Sequence, residues 1–235
     1  MKRTALLAIV VSLLVMGPIG CEEAPPTRQA KRQTKRLEAL TAALKSDTQK
    51  DRIQAAEKLA NMGRSAIGAT EAIVEALNSD DAELRAYAAR ALGRICQPDA
   101  GSTAPISDTL VPALRKTLAD PDAMARVWSA FSLFQILPDA DPEIKVLADV
   151  VQTRGDVQAR IQAAVAIGEM GPRGKGAVSA LIVALSSPSV NRHAAYALGM
   201  IGPDAKDAID VLTRLSGRSG PAADAARIAI DQIRK

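Results

Sequence analysis

Beyond position 36, apolar residues recur at i, i+3, i+4 and i+7 in segment after segment, the spacing of one helix face. Five of these segments align without gaps: RIQAAEKLANMG (52–63), RAYAARALGRIC (85–96), RVWSAFSLFQIL (126–137), RIQAAVAIGEMG (160–171) and NRHAAYALGMIG (191–202). Each opens on Arg or Asn, carries a small pair, then an aliphatic residue and usually glycine. The openings lie 33, 41, 34 and 31 residues apart, and AADAARIAIDQI (222–233) begins a sixth copy that stops halfway. Between them lie second helices: ATEAIVEAL (69–77), DTLVPALRKTL (108–118), EIKVLADVV (143–151), AVSALIVAL (177–185) and DAIDVLTRL (207–215). RLEALTAAL (36–44) matches this second type and caps the front end.

Paired helices repeating every 30–45 residues or so build an α-solenoid, because each pair buries its apolar faces only against its neighbours. The pattern therefore predicts an all-α fold, an α-α superhelix of about five helical hairpins plus capping helices over residues 36–235. The small pair faces the neighbouring helix and lets the backbones approach. These segments resemble HEAT repeats, in the short variety also found in phycobilisome lyases, and the resemblance covers nearly all of 37–235. Copy three departs from it, with Phe134 in the place of glycine and no glycine after Ile136.

Composition agrees with close helix packing. Hydrophobic residues make up 48% of the 235 residues but aromatics only 2%, so the core is built from Ala, Leu, Ile and Val. The pI near 9.2 is misleading as a guide to partners. Setting aside Lys2 and Arg3, and the five basic and two acidic residues of 22–36, leaves 23 Lys plus Arg against 24 Asp plus Glu in 37–235. A neutral repeat region opposes a HEAT-type nucleic-acid-binding protein, which needs a basic face.

The first twenty residues differ in kind. Lys2 and Arg3 precede ALLAIVVSLLVM (5–16), apolar apart from Ser12. A membrane span needs roughly 20 apolar residues, so this run reads as a secretory signal peptide over 1–20. It ends in GPIGC, which resembles the lipobox of bacterial lipoproteins, although Pro18 stands where that family usually has Leu. The resemblance implies acylation of Cys21, export, and anchoring to a bacterial membrane on its periplasmic or outer side. Residues 21–35 then form a lipid-anchored basic linker, suited to anionic headgroups or simply solvated.

Candidate chemistry is sparse. GEMGPRGKGAVS (168–179) looks like a phosphate loop around Lys175, but a P-loop needs four residues between its glycines, Ser or Thr after the Lys, and a preceding strand. Here five residues separate Gly168 from Gly174, Gly176 follows Lys175, and a helix precedes. The stretch instead aligns with the hinges at 63–66 and 202–205, where glycine takes a left-handed conformation and proline keeps the first helix from resuming. Arg52, Arg85, Arg126 and Arg160 each follow an acidic turn, which predicts a structural ladder of capped turns and ion pairs. His193 is the only histidine, excluding sites that need two, among them the iron-binding His–Glu pairs of HEAT-like hydroxylases. No metal or cofactor site is expected. Cys96 reads as a buried inert thiol, and Trp128, Phe131 and Phe134 as rings filling an irregular junction after the longer loop 96–108.

The expected function is a membrane-anchored scaffold or adaptor that binds another protein, and no enzyme activity is expected. A bilin-lyase-like enzyme or chromophore-protein chaperone is the alternative implied by repeat type alone. Solenoids bind along long concave surfaces, so the partner is expected on the second helices. Two columns there read Glu71, Pro112, Lys145, Ser179, Ile209 and Glu75, Lys116, Asp149, Val183, Thr213. Mixed charge in the first three copies would set register, and Val183 with Ile209 would supply apolar contact.

Overall fold

Three of the four acidic turns ahead of a first helix supply its N-cap; ahead of Gln49–Met62 the cap position is Thr48, whose side chain makes no capping bond. Asp81 accepts from the Glu83 and Leu84 amides, Asp122 from Ala125, and Asp156 from Gln158. The computed structural model describes residues 27–98, 108–137 and 141–235; the signal segment 1–20 and Cys21 lie outside them. Among the described residues twelve helices succeed one another: α1 (Arg28–Ala43), α2 (Gln49–Met62), α3 (Thr70–Ala76), α4 (Ala82–Cys96), α5 (Leu110–Thr117) and α6 (Ala123–Ile136). Then come α7 (Asp141–Gln152), α8 (Val157–Glu169), α9 (Val178–Ala184), α10 (Asn191–Ile201), α11 (Ile209–Ser216) and α12 (Pro221–Ile233). Among the described residues there is no strand, and no helix is long and apolar enough to cross a membrane. The all-α solenoid is the fold.

One helix start differs from expectation. α1 begins at Arg28 and runs straight through the boundary expected at residue 36, so most of the basic tract is helical. After the first helices, Gly63, Gly171 and Gly202 do take positive φ, at 54°, 56° and 76°. Each glycine leads into a 3-10 turn (63–69, 171–177, 202–208), with proline in the opening turn of the latter two. There its missing N–H leaves nothing unsatisfied, so the proline starts a new turn as well as ending the old one. Gly174 is explained by the same turn: a Cβ on it would lie 2.8 Å from the Ile167 carbonyl oxygen.

The even-numbered first helices stack in a row. Their small pairs are fully buried, as at Ala88 and Ala89, Ala163 and Ala164, and Ala194 and Ala195. A Cβ on Gly168 would lie 3.2 Å from Ala197 Cα, and one on Gly199 3.0 Å from Ala229 Cα, so two backbones meet with no side chain between them. These two contacts also fix the register of α12: Ala229 occupies the place of Ala197, which puts Ile228 level with Tyr196. That is one residue later than the alignment beginning at 222 implies.

Burial is divided between two clusters. One runs from Leu44 to Ile136 and includes Leu59, Ile73, Leu92 and Leu114; the other runs from Val127 to Ile233 and includes Leu147, Ile167, Leu181 and Leu198. α6 contributes Leu133 and Ile136 to the first cluster and Val127, Ala130 and Phe131 to the second.

The arginine ladder is present. Arg85 donates through Nε and Nη2 to Asp120 at 2.7 and 2.9 Å, and through Nη1 to the Ser79 and Asp80 carbonyls. Arg52 pairs with Asp81 at 3.2 Å and also holds the Ser46 and Asp47 carbonyls. Arg126 and Arg160 keep the carbonyl bonds, to Asp120 and Pro121 and to Val151, while the acid partner is replaced for Arg160 by Ser187 Oγ. Burial pushes the Asp120 carboxyl up. The bonds from Arg85 and the Asp122 amide, with the Arg85 and Arg126 charges, outweigh that and hold it below the usual carboxylate range.

Candidate interaction surface

The second-helix columns are placed at the surface with one exception. Glu71, Glu75, Pro112, Lys116, Lys145, Asp149, Ser179, Val183 and Thr213 are exposed, and Val183 is 54% accessible. Ile209 is half-buried and packs against the C-terminal core, so it does not extend the apolar patch outward. The reason is register: counted from Gly63, Gly171 and Gly202 at the three turns, Ile209 stands where buried Thr70 and Val178 stand, and Asp210 is the counterpart of exposed Glu71 and Ser179. Several of the charged positions are already engaged: Glu75 with Lys45 at 2.8 Å, Lys116 with Asn78 at 3.0 Å, and Asp149 with Gln152 at 3.3 Å.

The grooves lie on the other row. Between α4, α6 and α8 a hollow of about 280 Å³ is lined by Arg90, Arg94, Trp128, Gln135 and Glu169. An adjoining hollow adds Phe134 and Arg173. Between α10 and α12 a third, of about 330 Å³, is lined by Arg192, His193, Tyr196, Ile228 and Gln232. Tyr196, Met200 and Ile228 are 50%, 38% and 58% accessible, which makes the C-terminal end of this row its most exposed apolar surface.

The copy-three rings do two jobs. Phe131 is buried, edge-on to Trp128 at 6.3 Å and stacked on Phe134 at 6.2 Å, as expected of junction packing. Trp128 and Phe134 are half-buried, and each carries a guanidinium over its face, Arg90 at 5.0 Å and Arg173 at 4.4 Å.

A signal for this surface is present in the sequence. The first helices agree where they pack and differ at their third, sixth and tenth positions. The third reads Gln54, Tyr87, Trp128, Gln162, His193, and the sixth Glu57, Arg90, Phe131, Val165, Tyr196. Variation at fixed positions inside a repeat marks the face that packing does not dictate.

The remaining candidates are quiet. His193 is half-buried in the α10–α12 groove; burial, with the Arg192 charge, pushes its pKa down and favours the neutral imidazole. Cys96 is 2% exposed, with burial raising its thiol pKa and a Thr70 contact at 4.0 Å only partly opposing. Among the described residues no group of three His, Cys, Asp or Glu is placed to hold a metal ion. Lys175 is exposed on the 3-10 turn 171–177.

No curated protein matches the chain. Among solved structures, human deoxyhypusine hydroxylase in complex with glycerol is similar at 17% identity and a TM-score of 0.37, over 88% of this chain and 98% of that one. The family model for HEAT repeats matches residues 37–104 and 144–231. Two separate matches flanking the irregular third copy, on a solenoid of stacked helical hairpins, place this chain in the HEAT-repeat family.

Proposed function

We propose that this chain is an exported bacterial lipoprotein, held at a membrane by acylated Cys21, whose HEAT repeats act as an adaptor for another protein. The anchor rests on the GPIGC stretch after a charged and apolar leader. Directly beyond it, Arg28, Lys31, Arg32 and Lys35 recur at i, i+3, i+4 and i+7 on α1, a basic stripe that reinforces an acyl anchor on anionic lipid. The adaptor role rests on one observation: half-buried rings and exposed Tyr196, Met200 and Ile228 share a grooved row that the fold does not otherwise require. Interfaces favour such amphipathic aromatic anchors.

Cys21→Ala tests the anchor. The variant is expected in the aqueous phase after detergent partition, and the wild type in the detergent phase. A variant that stays membrane-bound with its leader uncut would overturn the lipoprotein reading. For the adaptor, recovery of a partner from solubilised membranes should collapse with Tyr196→Asp. Val183→Asp examines the second-helix columns in the same assay, because Val183 is their one exposed large apolar side chain. Loss with Val183→Asp and not with Tyr196→Asp would move the contact to that row, and recovery unchanged by both would remove both surfaces.

A further inference from the structure

We infer that the groove between α4, α6 and α8 binds an acidic, extended segment of the partner protein, an inference that rests on the adaptor reading. The charge on its walls is unbalanced. Among the described residues Arg90 and Arg94 face it from α4, against a single carboxylate from α8, Glu169. Neither arginine has an ion-pair partner among the described residues. The ladder arginines differ sharply, each being tied to backbone carbonyls of the turn or helix end before it.

Arg90 is also oriented. Its guanidinium carbon lies over the Trp128 ring at 5.0 Å, a contact with the face of the group that leaves its N–H donors for a ligand. A carboxylate is the group those donors take bidentately. Trp128 closes the floor beside it, and half-buried Gln135 offers an amide that can both donate to and accept from a peptide main chain. A bilayer surface fits less well, because the guanidinium is held in a furrow walled by neighbouring helices and no lysine among the described residues lines it. Two interaxial steps of about 9 Å separate α4 from α8, so the groove accommodates roughly 20 Å of chain, or about six extended residues.

Trp128 is the only tryptophan in the chain, so the groove contains its own reporter. The full-length protein in mild detergent is titrated with a synthetic peptide of about eight residues alternating Glu and Leu, while Trp128 emission is followed. The expected result is a saturable change in intensity or wavelength that weakens with added salt. Arg90→Gln with Arg94→Gln should weaken binding by about tenfold or more, the scale of a lost charge-assisted hydrogen bond. Circular dichroism checks that this variant is folded, and Arg94→Ala, at an exposed position with no described partner, supplies a second variant if it is not.

An equal response to the peptide with Lys in place of Glu, or one unaffected by the arginine changes, would overturn the inference. A response to phosphatidylserine vesicles without a response to the peptide would also overturn it and assign the groove to lipid. If Tyr196→Asp abolishes partner recovery while Trp128 ignores the acidic peptide, this inference fails and the adaptor reading stands. Recovery insensitive to every surface change removes the adaptor reading itself.

Discussion

Arg85→Ala should lower the unfolding free energy by about 3 kcal/mol, the low end of the cost of breaking a buried pair. Arg85 and Asp120 side chains are 13% and 8% accessible, so removing the guanidinium leaves a carboxylate with little water to replace two hydrogen bonds. The same change frees the Ser79 and Asp80 carbonyls that cross the turn into α4. The low end applies because the pair sits at a turn, where some solvent reaches it. The double variant Arg85→Ala with Asp120→Ala should recover part of the loss, because it leaves no stranded charge.

The pair also gives acid stability a definite window. Asp120 has a depressed folded pKa, so its contribution is complete above the unfolded carboxylate value, about 3.9. It is lost as pH falls through the lower folded value. Asp81 behaves alike: burial opposes ionisation, and bonds from the Leu84 and Glu83 amides, Gln49 and Arg52 prevail. Denaturant melts from pH 6 to 2 should therefore show the wild type and Asp120→Asn converging at low pH. A stability gap undiminished across that range would show that the carboxylate's charge is not what Asp120 contributes.

The second large effect is expected at Gly168. In Gly168→Val a branched side chain must enter where a Cβ already lies 3.2 Å from Ala197 Cα, a backbone atom that cannot rotate away. Overpacking costs about 1–3 kcal/mol, and a backbone obstacle puts this variant near the top of that range. For a chain of this size that lowers Tm by roughly 6–12 °C. Gly155→Ala is the control, since nothing lies within 4 Å of a Cβ there, and it should stay within about 0.5 kcal/mol of wild type. A Gly168→Val protein as stable as the control would mean that α8 and α10 can separate at no cost.

The helices and their caps could be read from the sequence because each depends on residues close in the chain, and the ladder because its arginines and acids recur at fixed places in successive copies. A cap needs an acid two or three residues before the amide it holds, as at Asp122 and Ala125. The small pairs identified the stacking face because alanine repeated there and nowhere else as strictly. Exposure on the outer faces could not be read in the same way. It depends on how far the next copy's axis stands off, which junction volumes decide. Ile209 adds a question of register: matched by helix pattern it falls beside exposed Ser179, but counted from Gly171 and Gly202 it is the counterpart of buried Val178. The groove residues Arg90, Trp128 and Gln135 come from two helices 41 residues out of phase in the chain, and only the fold brings them together. The register of α12 was legible only from its contact with Gly199, because its alanines permit two alignments.

The divided core gives the molecule a preferred line of separation. α6 sends Leu133 and Ile136 one way and Val127, Ala130 and Phe131 the other, so among the described residues the buried core falls into two clusters, joined at their border by half-buried Leu118 and Trp128. In a one-dimensional stack, cooperativity is only as long as its weakest interface. Hydrogen exchange should therefore resolve two blocks of amides that open with different free energies, with the boundary falling within or just beyond α6. The furrow of Arg90, Trp128 and Glu169 straddles that boundary, with walls from both blocks. A ligand seated in it would bind only while the blocks are docked, and by mass action would draw their separate openings toward a single event.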